Sequence, residues 1–326
     1  MSNDDLLASH GLILLPEDSS VIEDAEEEIF YLYTILQSAP QDRMNLRGLG
    51  FLDAKQDVVD LRFDLVPPTA EPSSPAAGKR TRKSRQRIKP APPVDSYEFQ
   101  LIQDKTALNS RKGDTGSVVW KASIDLSRFV LQEHAFPTSR SLFSSTKLKT
   151  SHVVELGAGT GLLSLIFSPL VRKYTVTDTA DLISLIQKNV RQNFPGWPSL
   201  PEGAPGSNIA VESLDWIELQ RANESQQAKL LSDIVPSNED PINLVLVVDC
   251  IYHPTLIPPL LATIDRLATS SITEVLVLSE LRSEEVLREF LEGWMCIPGW
   301  KVWHVGGDLL QDLHYVMWIG RKNISA

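Results

Sequence analysis

The sequence predicts a doubly wound α/β fold: a seven-stranded, mostly parallel sheet with one antiparallel edge strand, plus a small N-terminal region. Three observations predict it. From Tyr97 onward, strand-like and helix-like apolar segments alternate, the pattern that builds parallel sheets. INLVLVVD at 242–249 is an almost unbroken apolar run ending in an acid, as a central strand buried on both faces requires. VVELGAGTG at 153–161 runs from two β-branched residues into a turn with glycine at every second position, Gly157, Gly159 and Gly161.

The elements follow in order. Ile29 to Leu36 is apolar enough for one short helix, and LRFDLV at 61–66 alternates like a strand. Residues 67–93 are rich in proline, serine, alanine and basic residues, with nothing to bury, and read as a linker. The chain therefore divides into a small acidic region at 1–66, a Pro/basic linker at 67–93 and a main domain at 94–326. In that domain YEFQLIQ alternates as a strand, and residues 104–117 lead through polar and glycine-containing sequence into VVW at 118–120. SIDLSRFVLQEH (123–134) places Ile124, Leu126, Phe129 and Val130 at helical spacing. VVEL, the glycine turn and LLSLIFSPLV form strand, turn and helix; YTVTD (174–178) is the next strand. ADLISLIQKNVRQNF is a helix with Leu182, Leu185, Ile186 and Val190 on one face, and IAVESLDW (209–216) is a strand. After INLVLVVD come the helix IPPLLATIDRLAT, the strand EVLVLSEL (274–281) and the helix EEVLREFLEGW. WKVWHV (300–305) and HYVMWIG (314–320) lie too close together for a helical crossover, so they should pair antiparallel.

Composition narrows the function. With 326 residues, 42% of them hydrophobic, the chain can bury a full core. The two cysteines, Cys250 and Cys296, are far apart and in no metal-ligand spacing. No metal site or disulfide scaffold is expected, which suits a reducing compartment. No basic-then-apolar leader and no apolar run of ~18 residues occurs, so no membrane span is expected and the reading is cytoplasmic, with the nucleus as alternative. Residues 1–30 hold nine acids and no Lys or Arg, whereas KRTRKSRQRIK at 79–89 carries seven bases and no acid. The chain is −11 overall and thus −18 outside that segment. The basic run reads as a solvated tether in preference to a nuclear signal, and any nucleic-acid contact falls to it alone.

In such sheets the ligand lies beyond the carboxyl ends of the strands, at the switch point. Three acids stand at strand ends: Glu155, Asp178 and Asp249. The dinucleotide fingerprint needs a third glycine where this chain has Leu162. Asp178 lies 21 residues after Gly157, the distance at which a strand-end acid accepts both hydroxyls of a ribose. Gly157 and Gly159 leave room for close approach of a ligand. Glu155 is expected to repel a pyrophosphate and attract an ammonium. S-adenosylmethionine, an adenosine without phosphate that carries a sulfonium and an ammonium, suits this wall better than NAD.

VVELGAGTG, VTD, LDW and DCIY, in this order and with VVW upstream, resemble the seven-β-strand protein lysine methyltransferases grouped as methyltransferase family 16. The resemblance covers about residues 95–320. In the head, KRTRKSRQR, VDSYEFQL, LDW and LRSEEVLREFLE, the chain resembles fungal members that modify a large-subunit ribosomal protein. The likeness implies a class I methyltransferase fold, S-adenosylmethionine as cofactor, N-methylation of a protein lysine, and a basic large-subunit ribosomal protein as partner. It places the cofactor against Trp120, Gly157, Ala158, Gly159, Asp178, Trp216 and Val248, with Glu155 beside them on the charge argument. It gives the D-x-x-Y motif, Asp249 and Tyr252, the catalytic place. Asp215 also reads as a cap, and His253, followed by Pro254, as a loop residue. An unperturbed lysine is ~3.4 units from deprotonation at pH 7, about 4.6 kcal/mol. A carboxylate favours the ammonium, so Asp249 is read as orienting the nitrogen and not as a simple base. The alternative is a binding or adaptor protein on the same fold without catalysis. A nicotinamide oxidoreductase is disfavoured by the glycine spacing and by Glu155.

Overall fold

A computed structural model describes residues 11–38, 50–52, 56–68, 95–104, 116–235, 241–268, 272–306, 310 and 314–323. Five strands run parallel: β4 (His152–Leu156), β5 (Lys173–Asp178), β6 (Ile209–Ser213), β7 (Leu244–Val248) and β8 (Glu274–Glu280). Their order across the sheet is β6-β5-β4-β7-β8, so the chain builds outward from β4 and then returns to its other side. The switch point lies between β4 and β7, where a ligand crevice is expected.

Beyond β8 the direction reverses. β10 (Tyr315–Lys322) pairs antiparallel with β8 from Tyr315 opposite Glu280 to Arg321 opposite Glu274. β9 (Trp300–His304) pairs antiparallel with β10, as the short connection demands. The reversed strand thus sits between β8 and β9. These seven strands gain an eighth, β1 (Ser20–Val21), which adds antiparallel to β9.

Burial follows the alternation of the strands. Val153 of β4 faces one core and Val154 and Leu156 the other; in β7, Leu244, Leu246 and Val248 face the first, Val245 and Val247 the second. The apolar run at 242–249 is therefore buried on both faces. The first core is closed by α2 (Lys121–Ala135), α4 (Leu162–Phe167) and α5 (Ala180–Asn193). The second is closed by α1 (Ala25–Ser38), α8 (Ile257–Leu267) and α9 (Glu284–Met295). Short helices α3 (Ser145–Leu148), α6 (Trp216–Arg221) and α7 (Glu224–Leu230) complete the set. VVW joins no sheet strand; Trp120 makes an isolated bridge to Phe51 and then leads into α2.

Residues from the acidic N-terminal region share these cores. Ile29, Leu32 and Leu36 of α1 lie in the second core. β2 (Val58–Leu65) pairs along its whole length with β3 (Asp95–Ile102) and sends Val59, Leu61, Phe63 and Leu65 into the first. The open edge of β3 is satisfied by α5: the amide of Ile102 donates to Asn189 Oδ1 at 2.7 Å and that of Gln100 to Asn193 Oδ1 at 3.0 Å. Buried backbone donors need such partners, and an edge covered this way is closed to further pairing. Of the linker at 67–93, only residues 67 and 68 are described.

A buried ion pair ties the start of the described chain to the far strands. Arg321 Nε donates to Glu274 Oε1 at 2.7 Å across β8 and β10. The backbone of Ile13 closes the pair, its N–H donating to Glu274 Oε2 and its carbonyl accepting from Arg321 Nη2, both at 2.8 Å. Truncating one partner leaves a buried charge. Glu274→Ala is expected to cost about 3–5 kcal/mol in urea unfolding, and Glu274→Gln is expected to be costly too, because the neutral amide leaves the Arg321 charge unpaired and offers one acceptor where two are used. An unchanged unfolding midpoint in either variant would contradict this role.

Candidate active site

A cavity of about 660 Å³ opens beside the switch point, beyond the carboxyl ends of β4, β5 and β7. Trp120, Gly157, Asp178, Trp216, Val248 and Asp249 line it, so residues far apart in the chain meet there. Ala158, Gly159 and Tyr252 also lie on its wall.

The glycine turn leaves β4 through left-handed backbone, φ 68° at Gly157 and 58° at Gly159. A Cβ at Gly157 would sit 2.7 Å from Cys250 Sγ and 3.2 Å from the Trp216 ring; one at Gly159 would sit 2.8 Å from the Gly116 carbonyl oxygen. Both glycines thus make room for other parts of the protein, where the sequence reading left that room to a ligand. The Gly159 N–H donates to Asp178 Oδ2 at 2.8 Å and the Thr179 N–H to Oδ1 at 2.7 Å. Two amides therefore hold the Asp178 carboxylate against the cavity. Trp216 is placed by its neighbour: Asp215 Oδ1 accepts from the amides of Ile217 (2.8 Å) and Glu218 (3.2 Å) and caps α6. The Trp216 indole nitrogen is buried without a protein partner. A buried unpaired donor is costly, so an acceptor supplied by a ligand would relieve it.

Asp249 follows β7 at φ 58°, the one non-glycine residue with positive φ among those described. Its backbone N–H donates to the Leu278 carbonyl at 2.7 Å, and its side chain is only 4% exposed. Oδ1 accepts from the Glu280 amide at 3.3 Å, and Oδ2 is ion-paired with Arg282 Nη2. The same guanidinium bonds Glu280 Oε2 at 2.7 Å and lies 4.7 Å over the Trp120 ring. Burial pushes the Asp249 carboxyl up to about 6 against the opposing pull of Arg282. Cys250 bonds the carbonyls of Leu156 (3.2 Å) and Val248 (3.4 Å), joining the ends of β4 and β7. Burial holds its thiol well above the usual range, so it stays protonated. Tyr252, 40% exposed, stands at the rim. His253 caps the following turn, its Nδ1 accepting from the Thr255 amide at 3.3 Å.

The family profile for lysine methyltransferases matches residues 102–293, which include every cavity residue named above. The chain belongs to the lysine methyltransferase family. Ribosomal lysine N-methyltransferase 5 of Zygosaccharomyces rouxii is 27% identical over 305 residues, 83% of this chain and 88% of that protein. The Kluyveromyces lactis protein of the same name is 27% identical over 318 residues, 86% of this chain and 90% of that one. A Schizosaccharomyces pombe protein named diaminohydroxyphosphoribosylamino-pyrimidine deaminase is 26% identical over 275 residues, 84% of this chain. The chain spans about half the length of that relative, 51%. Among the described residues, no three His, Cys, Asp or Glu side chains group to hold a metal, and no helix is long and apolar enough to cross a membrane.

The methyl donor of this lysine methyltransferase is S-adenosylmethionine, and the residues present fit it. A doubly anchored carboxylate suits ribose hydroxyls, and an unpaired indole N–H, a second indole and Val248 offer the mixed wall an adenosine needs. Glu155 departs from the sequence reading. It does not line the cavity; its carboxyl is buried and accepts from Tyr174 OH at 2.8 Å. Burial, and secondarily the Asp178 charge, push it up to about 8. Burial thus favours the neutral form of Glu155, and its carboxyl does not face the cavity where an ammonium was expected to be drawn. Arg282 escaped the sequence reading; a charged residue two positions after a buried strand was its one local signal.

Two expectations follow. Asp178→Ala removes two charge-assisted hydrogen bonds, each worth about 1.5–3 kcal/mol. Calorimetry should show S-adenosylmethionine binding weakened by roughly 100-fold or more; unchanged affinity would remove Asp178 from the site. Glu155 titrates near 8 in the folded protein, above its ordinary 4.5. The native state then holds the extra proton, and stability falls as pH rises through that window. Urea unfolding should find Glu155→Gln matching wild type near pH 4, below the unfolded value, and exceeding it at pH 8. Parallel curves at both pH values would contradict the shift.

Proposed function

We propose that the protein transfers a methyl group from S-adenosylmethionine to the side-chain nitrogen of a lysine on a large-subunit ribosomal protein. The observation that carries this reading is the D-x-x-Y pair on one cavity. Asp249 is buried, oriented and strained at the inner wall, and Tyr252 is exposed at the rim. The ribosomal substrate is supported by the fungal relatives, which align over nearly nine-tenths of their own length. Charge agrees: outside residues 79–89 the chain is −18, which draws basic proteins and repels naked RNA. On this reading the protein works in the cytoplasm, residues 94–326 carry the catalytic side chains, and any RNA contact falls to 79–89, outside the described residues.

When bound, the cofactor supplies an electrophilic methyl group on sulfur. Asp178 would accept from its ribose, Trp120, Trp216 and Val248 would pack on it, and Gly157, Ala158 and Gly159 would bring backbone against it. Asp249 accepts a hydrogen bond from the incoming nitrogen and turns its lone pair toward the methyl group. Tyr252 forms the wall past which the lysine stem enters. The gain comes from alignment, since misplacement by about 1 Å costs on the order of 100-fold.

Asp249→Asn should accordingly keep S-adenosylmethionine binding within severalfold while turnover falls on the order of 100-fold. Parallel loss of binding and turnover would make Asp249 a cofactor or folding residue. The substrate class is tested with labelled cofactor and ribosomal subunits from cells lacking the enzyme, followed by mass spectrometry. Label on a lysine of a large-subunit protein is expected; label on RNA, a protein N-terminus or a histidine would overturn the lysine reading.

A further inference from the structure

Arg282 is the one cation among the described residues lining the cavity, against four aspartates: Asp178, Asp181, Asp215 and Asp249. It is boxed in. Its guanidinium lies over Trp120, bonds Glu280 through Nε (3.1 Å) and Nη2 (2.7 Å), and pairs with Asp249. Gly50, from the N-terminal region, closes the outside: a Cβ there would sit 2.8 Å from the Trp120 ring and 3.0 Å from Glu280 Oε2. The Phe51 ring packs edge-on against Trp120 at 6.0 Å, and Lys121 N–H donates to the Gly50 carbonyl at 2.8 Å. Backbone, indole and two carboxylates thus hold one guanidinium in one place.

We propose that Arg282 is a positioning residue for methyl transfer: it fixes the Asp249 carboxylate as a hydrogen-bond acceptor and offsets its charge, so that the bound substrate nitrogen can lose its proton. This rests on the lysine reading above. The chemical problem is specific. A nitrogen that attacks a methyl group needs its lone pair, whereas a bare carboxylate beside it stabilises the ammonium. An Asp249 already paired with a guanidinium still has free lone pairs on both oxygens. It can orient the amine while its pull on the proton is weakened. The titratable and charged groups facing this point are Asp249 after β7, Glu280 at the end of β8, Asp178 after β5, Asp181 in α5, and Asp215 before α6. Cys250 is buried as the neutral thiol, and Tyr252 stands at the rim. Without Arg282 every charge in that set is negative.

The test compares wild type with Arg282→Gln, Arg282→Lys and Glu280→Gln at saturating cofactor, following kcat against pH on ribosomal subunits from cells lacking the enzyme. Activity rises with pH as the bound ammonium deprotonates. Arg282→Gln should move that midpoint upward by about one pH unit and Arg282→Lys should restore it, an opposite charge at this range shifting a neighbour by roughly one to three units. Glu280→Gln should move it downward. Carbon-13 NMR titration of the Asp249 carboxyl in the cofactor-free protein gives a readout independent of turnover: its midpoint should rise in Arg282→Gln and return in Arg282→Lys. An unmoved kinetic midpoint in Arg282→Gln, with activity lost equally at every pH, would overturn the proposal. So would a Lys variant as impaired as the Gln variant. If wild type methylates no lysine at all, the functional reading falls; an unmoved midpoint in an active enzyme defeats only the role of Arg282.

Discussion

The cavity exists because both strands at the switch point leave the sheet through left-handed backbone. β4 does so at Gly157, where a side chain would strike Cys250 and Trp216. β7 does so at Asp249, with no glycine to ease it. Such a conformation costs a non-glycine residue on the order of 1–3 kcal/mol and persists only where its surroundings over-determine it. Here they do: the Asp249 amide is bonded to Leu278, its carboxylate to Glu280 and Arg282, and the next residue, Cys250, bonds the carbonyl at the end of β4. Releasing that geometry would free the carboxylate from the cavity wall. Strain at one residue is thereby exchanged for a fixed acceptor on the cavity wall.

Charge is distributed around this constraint with some economy. Asp178 is held by amides and faces the cavity, suited to neutral hydroxyls. Glu155, only one strand away, is buried and pushed up to about 8, and supports β5 through Tyr174 in place of meeting a ligand. Asp249 is buried but paired. Three acids at three strand ends therefore have three environments, and burial with partner choice, not residue type, separates their roles.

Much of the fold is legible in the sequence because it rests on local periodicity. The run at 242–249 carries the pattern of a strand buried on both faces, and the short link between 305 and 314 favours antiparallel neighbours. What escaped is set by contacts distant in the chain. β1 is two residues long and exists because β9 offers an edge. The region at 1–66 reads as separate by charge, yet its apolar residues complete both cores. At the site, Asp178, Trp216 and Asp249 were visible as strand-end residues within motifs. Arg282 was not, because its partner Asp249 lies 33 residues away and its stacking partner Trp120 is further still. The charge expected of Glu155 failed for a related reason: nothing adjacent in sequence announces that Tyr174 will cover it.

We propose the crevice between β4 and β7 as the methyl-transfer site, with its reacting end at Asp249 and Tyr252. A crystal structure with S-adenosylhomocysteine tests it most directly. The ribose hydroxyls are expected on Asp178, the adenine beside Trp216, and the sulfur directed toward Asp249. A nucleoside bound elsewhere, or one reversed so that its sulfur points away from Asp249, would contradict it.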